Sequence, residues 1–184
     1  GLERGLMAGA AGGFTDVAIL PSTNPPIDNK SSVSYLVSRG LENNTPCMPL
    51  PLGCVSVGRK GEQLAELLDM SSAGAIGFSD DGPISRVGLL QRALEYLAPN
   101  GDVVVAQANE SDLNLGATIH EGATSTALGL TGSPSASETI RLKRDIEILS
   151  YTGGRLHIPI ISSAEGVKLI KAAKKRGLFI TAST

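Results

Sequence analysis

Tryptophan is absent from this chain, and three Phe and three Tyr are its only aromatic residues. That leaves no stacking platform for nucleobases and no aromatic cleft for sugars. Charge of one sign is missing too: 16 Lys+Arg stand against 18 Asp+Glu, for a formal net charge of −2. Such a balance offers no basic face to nucleic acid or to anionic lipid. Two cysteines, Cys47 and Cys54, cannot staple a disulfide-rich secreted scaffold. No apolar run approaches the roughly 18 residues of a membrane span, and GLERGLMAGA is not a signal peptide. The expectation is a cytoplasmic protein with no membrane segment and reduced thiols.

What is present is alternation. Short β-branched runs at Asp16–Leu20, Leu50–Val57, Ala73–Phe78, Val103–Ala106, Leu156–Ile161 and Leu178–Ala182 read as buried strands. Between them, amphipathic stretches predict helices over Ser31–Arg39, Gly61–Met70, Val87–Leu97, Glu138–Tyr151 and Ala164–Arg176. Ser31 or Ser32 reads as the N-cap of the first, and Gly177 as the left-handed residue that ends the last. Apolar strands separated by helices indicate a parallel α/β fold, either a doubly wound sheet or a (β/α)8 barrel. No dinucleotide fingerprint favours the first. Residues 1–184 therefore read as a single TIM-barrel-type domain supplied as an incomplete piece, about six βα units. Two strands short of closure it would bare parallel edges, so the natural gene product is expected to be considerably longer.

Few residues suggest chemistry by pattern. Gly53–Lys60 spaces its glycines like a phosphate loop but puts Arg59 and Lys60 where Lys and a hydroxyl belong. Cys47 and Cys54, seven apart around a strand, read as packed thiols rather than a metal pair. His120 falls in the long Gly/Ser/Thr-rich loop 108–137 and reads as a ligand contact or a solvated side chain. His157 reads as a core or barrel-wall histidine. Asp80 and Asp81 follow a strand end, where they suit either a cation or a tight Asp-Gly turn. Asn24, in PSTNPP, follows another strand end, and its amide could hold a carboxylate or imide.

Taken together, four segments carry a resemblance. AAGGFTDVAILPSTNPPID, GAIGFSDDGPI, HEGATSTALGLTGSPSASE and RDIEILSYTGGRLHIPIISSAEGVKLIKAAKKRGL resemble, in order and spacing, consecutive motifs of the dihydroorotase family. The resemblance implies an amidohydrolase (β/α)8 barrel with one or two zinc ions. It also implies interconversion of N-carbamoyl-aspartate and dihydroorotate in pyrimidine biosynthesis, through a metal-activated hydroxide. Asn24 matches the asparagine that helps hold the substrate carboxylate. Of the DDG pair, Asp81 rather than Asp80 is the candidate metal bridge.

The departures fall on the chemistry. Where the family has its HAED-like histidine ligand this chain has Gln107, and where the second histidine of HxxHxST belongs it has Ile160. His157 matches the first, non-ligating histidine of that motif. A neutral amide is a poor zinc ligand and an alkyl chain is none. The family's HxHxR motif and last aspartate ligand lie outside the sequence. No catalytic residue is assigned. The resemblance then implies a degenerate, dihydroorotase-like pseudoenzyme acting as a structural or regulatory partner, of aspartate carbamoyltransferase or of itself. The alternative is an active zinc-dependent dihydroorotase, completed by ligands outside this segment together with His157 or His120 in a rearranged site.

Overall fold

The computed structural model describes residues 1–42 and 46–184. Strand β1 (Asp16–Ile19) pairs in parallel with β2 (Met48–Pro51), from Asp16 opposite Met48 to Ile19 opposite Pro51. Strand β3 (Val103–Val105) pairs in parallel with β6 (Arg155–Ile158), which pairs in parallel with β7 (Ile180–Ala182). Between the two sheets runs the stretch 76–79, bridged at Phe78 to Gly53 on one side and Val104 on the other. Parallel segments thus follow one another in chain order, as in a singly wound barrel wall.

The stretch 73–78 is predicted as a full strand and forms only these bridges. The reason lies in its neighbour. Met48 and Leu52 donate their amides to Thr15 and Ile19, toward β1. The amides on the opposite edge would come from residues 49 and 51, and both are proline. Proline has no N–H to give to a ladder. The contact across that edge is therefore reduced to Ile76 N–H to Pro51 O, Gly53 N–H to Gly77 O and Ser79 N–H to Gly53 O, at 2.8–3.0 Å.

Helices α1 (Leu2–Ala11), α2 (Lys30–Glu42), α3 (Leu67–Ser72) and α4 (Val87–Leu97) precede β3. The remaining elements are β4 (Ile119–His120), α5 (Ala123–Leu128), β5 (Gly132–Ser133), α6 (Ser135–Thr152) and α7 (Ala164–Lys175). Three expectations shift. The cap of α2 is Asn29, whose side chain accepts from the Ser32 amide at 3.0 Å, rather than Ser31 or Ser32. The helix foreseen from Gly61 begins only at Leu67. Its first half is drawn into a hairpin, with Ser56 bridged to Leu64 and left-handed turns at Gly58 and Gly61. Loop 108–137 is not structureless: it holds β4, α5 and β5, with β4 and β5 paired in parallel.

One face of the sheet is sealed by helices. The stripe Leu89, Leu90, Ala93, Leu94 and Leu97 of α4 is buried as its spacing predicts. With Leu142, Ile146 and Leu149 of α6 and Ile170 of α7, it packs in one core with Val104, Leu156, Ile158 and Ile180 of the strands. The alternate strand positions, Val103, Val105, Arg155, His157 and Thr181, are half-buried or exposed on the opposite face. Gly177 closes α7 at φ 82°, donating to Lys174 O while Leu178 donates to Ala173 O, as foreseen. No helix among the described residues is long and apolar enough to cross a membrane.

Leu94 is fully buried and Leu68, on α3, is half exposed. Leu94→Ala is expected to cost about 3 kcal/mol of unfolding free energy and Leu68→Ala under about 1, measured by urea denaturation.

Candidate functional site

The loops that follow the strands gather at one end of the sheet. There a cavity of about 190 Å³ is lined by Gln107 and Asn109 after β3, Asn114 and His120 of the 108–137 excursion, Glu138 of α6, and Ile160 after β6. The two positions where the family pattern calls for histidine therefore meet in one cavity, and His120 joins them there. Its Nε2 lies 3.3 Å from the Ser135 hydroxyl. Gln107 is fixed through its backbone, donating to Gly82 O at 3.3 Å.

The cavity wall is held by neutral polar groups. Ser137, almost fully buried, accepts from the Glu110 amide at 2.9 Å and from Asn114 Nδ2 at 2.8 Å. Asn114 Nδ2 also donates to Asn109 Oδ1. Ser133 Oγ donates to Asn114 Oδ1 at 2.5 Å. These bonds tie the excursion to the first turn of α6.

Glu138 supplies the tightest constraint. Its Oε2 accepts from the Ser162 amide and hydroxyl, both at 2.8 Å, and its Oε1 from the Ser163 amide at 3.2 Å and hydroxyl at 2.5 Å. Ser163 is also the N-cap of α7, accepting from the Gly166 amide at 2.9 Å. A Cβ at 166 would overlap Glu138 Oε1, so any side chain there would displace the carboxylate from its Ser162 and Ser163 donors. Burial works to raise the Glu138 pKa. The hydrogen bonds from Ser163 and Ser162 outweigh it and hold the carboxyl below its ordinary 4.5. Sequence reasoning took Glu138 only as a helix start. The signal available was an acid in the first helical turn and a Ser-Ser pair before another helix.

Behind it lies a second charged cluster that sequence reasoning also missed. Arg141, 1% exposed, donates to Ile84 O and to Glu110 Oε1, both at 3.0 Å. Arg144 reaches Ile84 O, Ser85 O and the buried Asp145 Oδ1. Among the described residues, Arg141 Nε and Asp145 Oδ2 are buried without a hydrogen-bond partner. Burial pushes the Asp145 carboxyl up to about 6 against the pull of Arg144 and Arg141.

The other sequence-predicted positions lie elsewhere. Asn24 is exposed and borders a separate groove with Ile27, Tyr35 and Leu36. Asp80 is committed to the fold, accepting from the Val55 and Ser56 amides at 2.9 Å and from the Ser56 hydroxyl at 2.6 Å. Asp81 sits at φ 54° and pairs with Arg59 at 3.7 Å, while its amide donates to Ser79 Oγ. Asp81 thus sits in a bend held by the Ser79 contact and by its ion pair. His157, on the open sheet face, bonds Thr181 Oγ1 at 2.8 Å, and burial lowers its pKa. Cys47 and Cys54 are both buried, and burial raises the Cys54 thiol to about 12, helped by Asp80 and Asp28. Neither thiol is placed for metal chemistry. Among the described residues no three His, Cys, Asp or Glu side chains come together as a metal site would need. The described residues of the cavity offer zinc one imidazole, neutral amides, an alkyl chain and the Glu138 carboxylate, whose two oxygens already accept four hydrogen bonds, and this set does not fit the ion.

Ile160 also departs from ordinary backbone geometry. It is 67% exposed and sits at φ 60°. A β-branched residue in the left-handed region is strained, and such strain gathers at functional sites.

The model of dihydro-orotase-like domains matches residues 1–166. The chain belongs to the dihydroorotase-like family. It is 44% identical over 182 residues to a dihydroorotase of Pelotomaculum thermopropionicum, covering 98% of this chain and 42% of that protein. It is 40% identical over 184 residues to one of Pelobacter propionicus, covering 100% of this chain and 43% of the relative. The chain thus spans less than half the length of these relatives. Among solved structures, a D-hydantoinase matches with TM-score 0.73 and 16% identity, over 100% of this chain and 41% of its own. The L-hydantoinase of Arthrobacter aurescens matches with TM-score 0.71 and 18% identity, over 98% and 41%. That likeness is one of fold and agrees with the parallel α/β order described above.

Two stability predictions arise here. Asp145, with its pKa raised from 3.8 to about 6, favours the fold when protonated, so stability falls by up to about 3 kcal/mol as pH rises through that window. Glu138, held below 4.5, favours the fold when ionised, so stability falls again as pH drops below 4.5. Urea midpoints should therefore peak near about pH 4, with Asp145→Asn flattening the upper limb and Glu138→Gln the lower. Separately, Ile160→Gly is expected to raise unfolding free energy by about 1 kcal/mol, since glycine takes a left-handed φ without strain.

Proposed function

We propose that this chain belongs to a catalytically degenerate, dihydroorotase-like protein of pyrimidine biosynthesis, cytoplasmic, serving as a structural or regulatory partner of aspartate carbamoyltransferase. Its six parallel segments are read as an arc of a closed (β/α)8 barrel. The observation that carries the functional reading is the pairing of Gln107 and Ile160 in one cavity. Both stand where the family pattern has imidazole ligands, and both line the same cavity. Zinc activates water only when enough anionic or imidazole donors hold it and one position stays open. An amide and a sec-butyl group supply neither affinity nor charge, and His120 alone does not replace two ligands. Asp81, the remaining candidate bridge, is held in an ion pair with Arg59.

The alternative, an active zinc-dependent dihydroorotase, is favoured by 44% identity to a relative bearing that name. Zinc per chain and ring closure of N-carbamoyl-aspartate, measured on the full-length protein, separate the two. The expected result is less than about a tenth of a zinc per chain and no closure above background. Stoichiometric zinc with turnover would establish the alternative.

A further inference from the structure

Four charged side chains meet behind the cavity wall, and two of them, Arg141 and Asp145, are enclosed by the fold. Both guanidiniums converge on one carbonyl: Arg141 Nη1 donates to Ile84 O at 3.0 Å and Arg144 Nη2 at 2.7 Å. Arg144 Nη1 adds Ser85 O at 2.9 Å, and Arg141 Nη2 holds Glu110 Oε1 at 3.0 Å. Helix α6 thereby grips the 82–86 loop and the base of the excursion at once. Both segments adjoin the cavity: the amide of Gln107 donates to Gly82 O, and Glu110 follows the lining residue Asn109.

Asp145 is the acid at the centre of this grip, and it is 0% exposed. Its Oδ1 accepts from Arg144 Nε at 2.8 Å, and its Oδ2 has no partner among the described residues. A carboxylate so enclosed loses hydration that one ion pair does not return, so its neutral form suits the closed cluster. In water the ionised form is preferred. Any local opening that hydrates Asp145 is therefore favoured once the acid ionises. Arg144 and Arg141 oppose this, Glu110 adds to it, and burial prevails, pushing the carboxyl up to about 6. Other charges on the elements around α6 are engaged elsewhere or exposed. Arg86 reaches Glu62 O, Arg92 of α4 reaches Gly88 O, Glu95 accepts from Gln91, and Arg176 pairs with Glu147. Asp112 and the lysines of α7 are exposed. We propose that Asp145 is the trigger of a pH-sensitive latch: its ionisation favours release of Ile84, Ser85 and Glu110 from Arg141 and Arg144, loosening the 82–86 loop and the base of the excursion together. Ile84 is itself part of the core, so the released form is a minor population.

Amide hydrogen exchange of the full chain, followed residue by residue by NMR with the intrinsic pH dependence divided out, reads that population. The reporters are the Gln107 amide, bonded to Gly82 O, and the Glu110 amide, bonded to Ser137. The Val105 and Leu156 amides, bonded to Phe78 O and Phe179 O, report the sheet and register any titration of His157 beside them. Protection of the two reporters should be lower than that of the sheet amides and insensitive to low urea, as a local opening requires. It should fall about tenfold between roughly pH 5 and pH 7 and then level off. Asp145→Asn should abolish the fall. Glu110→Gln removes a carboxylate that raises the Asp145 pKa, so the levelling-off should move to lower pH, a shift that a purely structural role would not produce. Should Asp145→Asn not fold, the natural profile and Glu110→Gln decide. Reporter protection that is flat or rises with pH, or that tracks the sheet amides at every pH and urea concentration, would overturn the latch. So would a full fall retained in a folded Asp145→Asn.

Discussion

The mouth of this fold hangs on one carboxylate. Glu138 lies on α6, yet each of its four hydrogen bonds goes to Ser162 or Ser163, on the loop between β6 and α7. Through Ser163 it also reaches the cap of α7, and through the turn it begins it neighbours Ser137, which anchors the excursion. The start of α6 and the loop that caps α7 are therefore registered against one ionised group, and the neighbouring Ser137 adds the excursion to them. A charge held by backbone amides and hydroxyls contributes more than neutral pairs of equal length, which is why it is found where loops alone would not keep their positions. The absence of any side chain at Gly166 is the steric counterpart of that arrangement.

The Arg141, Arg144 and Asp145 cluster has a related role further along the same helix. It ties α6 to the loop at Ile84 and Ser85 and, through Glu110, to the base of the excursion. Unlike Glu138 it is incompletely satisfied, since Arg141 Nε and Asp145 Oδ2 have no partner among the described residues. They are a donor and an acceptor four residues apart on one helix, a spacing that one bridging water suits. Burial without full pairing is what raises the Asp145 carboxyl, and it makes this cluster costlier to the fold than the Glu138 clamp.

Periodicity made the large elements legible. The leucine stripe of α4, the strand at 103–105 and the cap of α7 at Gly177 could be read directly, because burial imposes regular spacing and a left-handed φ favours glycine. The 73–78 strand and the 61–70 helix were misjudged because their local pattern was overridden from elsewhere, by prolines on an adjoining strand and by a hairpin pairing. At the site, the resemblance located Gln107 and Ile160, and the structure adds that they share a cavity with His120. Asn24 and Asp81 match the family's motifs but lie apart from that cavity or in a bend. The Glu138 and Arg141 networks join residues more than twenty positions apart, so no local pattern announces them.

Pro49 and Pro51 have a mechanical consequence. With no amide from either, the sheet carries a seam between β2 and the 76–79 stretch, crossed by only a few backbone bonds around Gly53 and Phe78. A β-sheet normally spreads cooperativity through continuous ladders; an interrupted ladder divides it into units that open separately. The β1–β2 ribbon, with α1 and α2, is then one unit, and the β3–β6–β7 block with α4, α6 and α7 another. The Glu138 clamp belongs to the second, and the cavity lies between that block and the 108–137 excursion. Slow opening of the first can therefore proceed without disturbing the geometry at the mouth, so that a protein built on this plan can flex along one wall while its polar end keeps its shape.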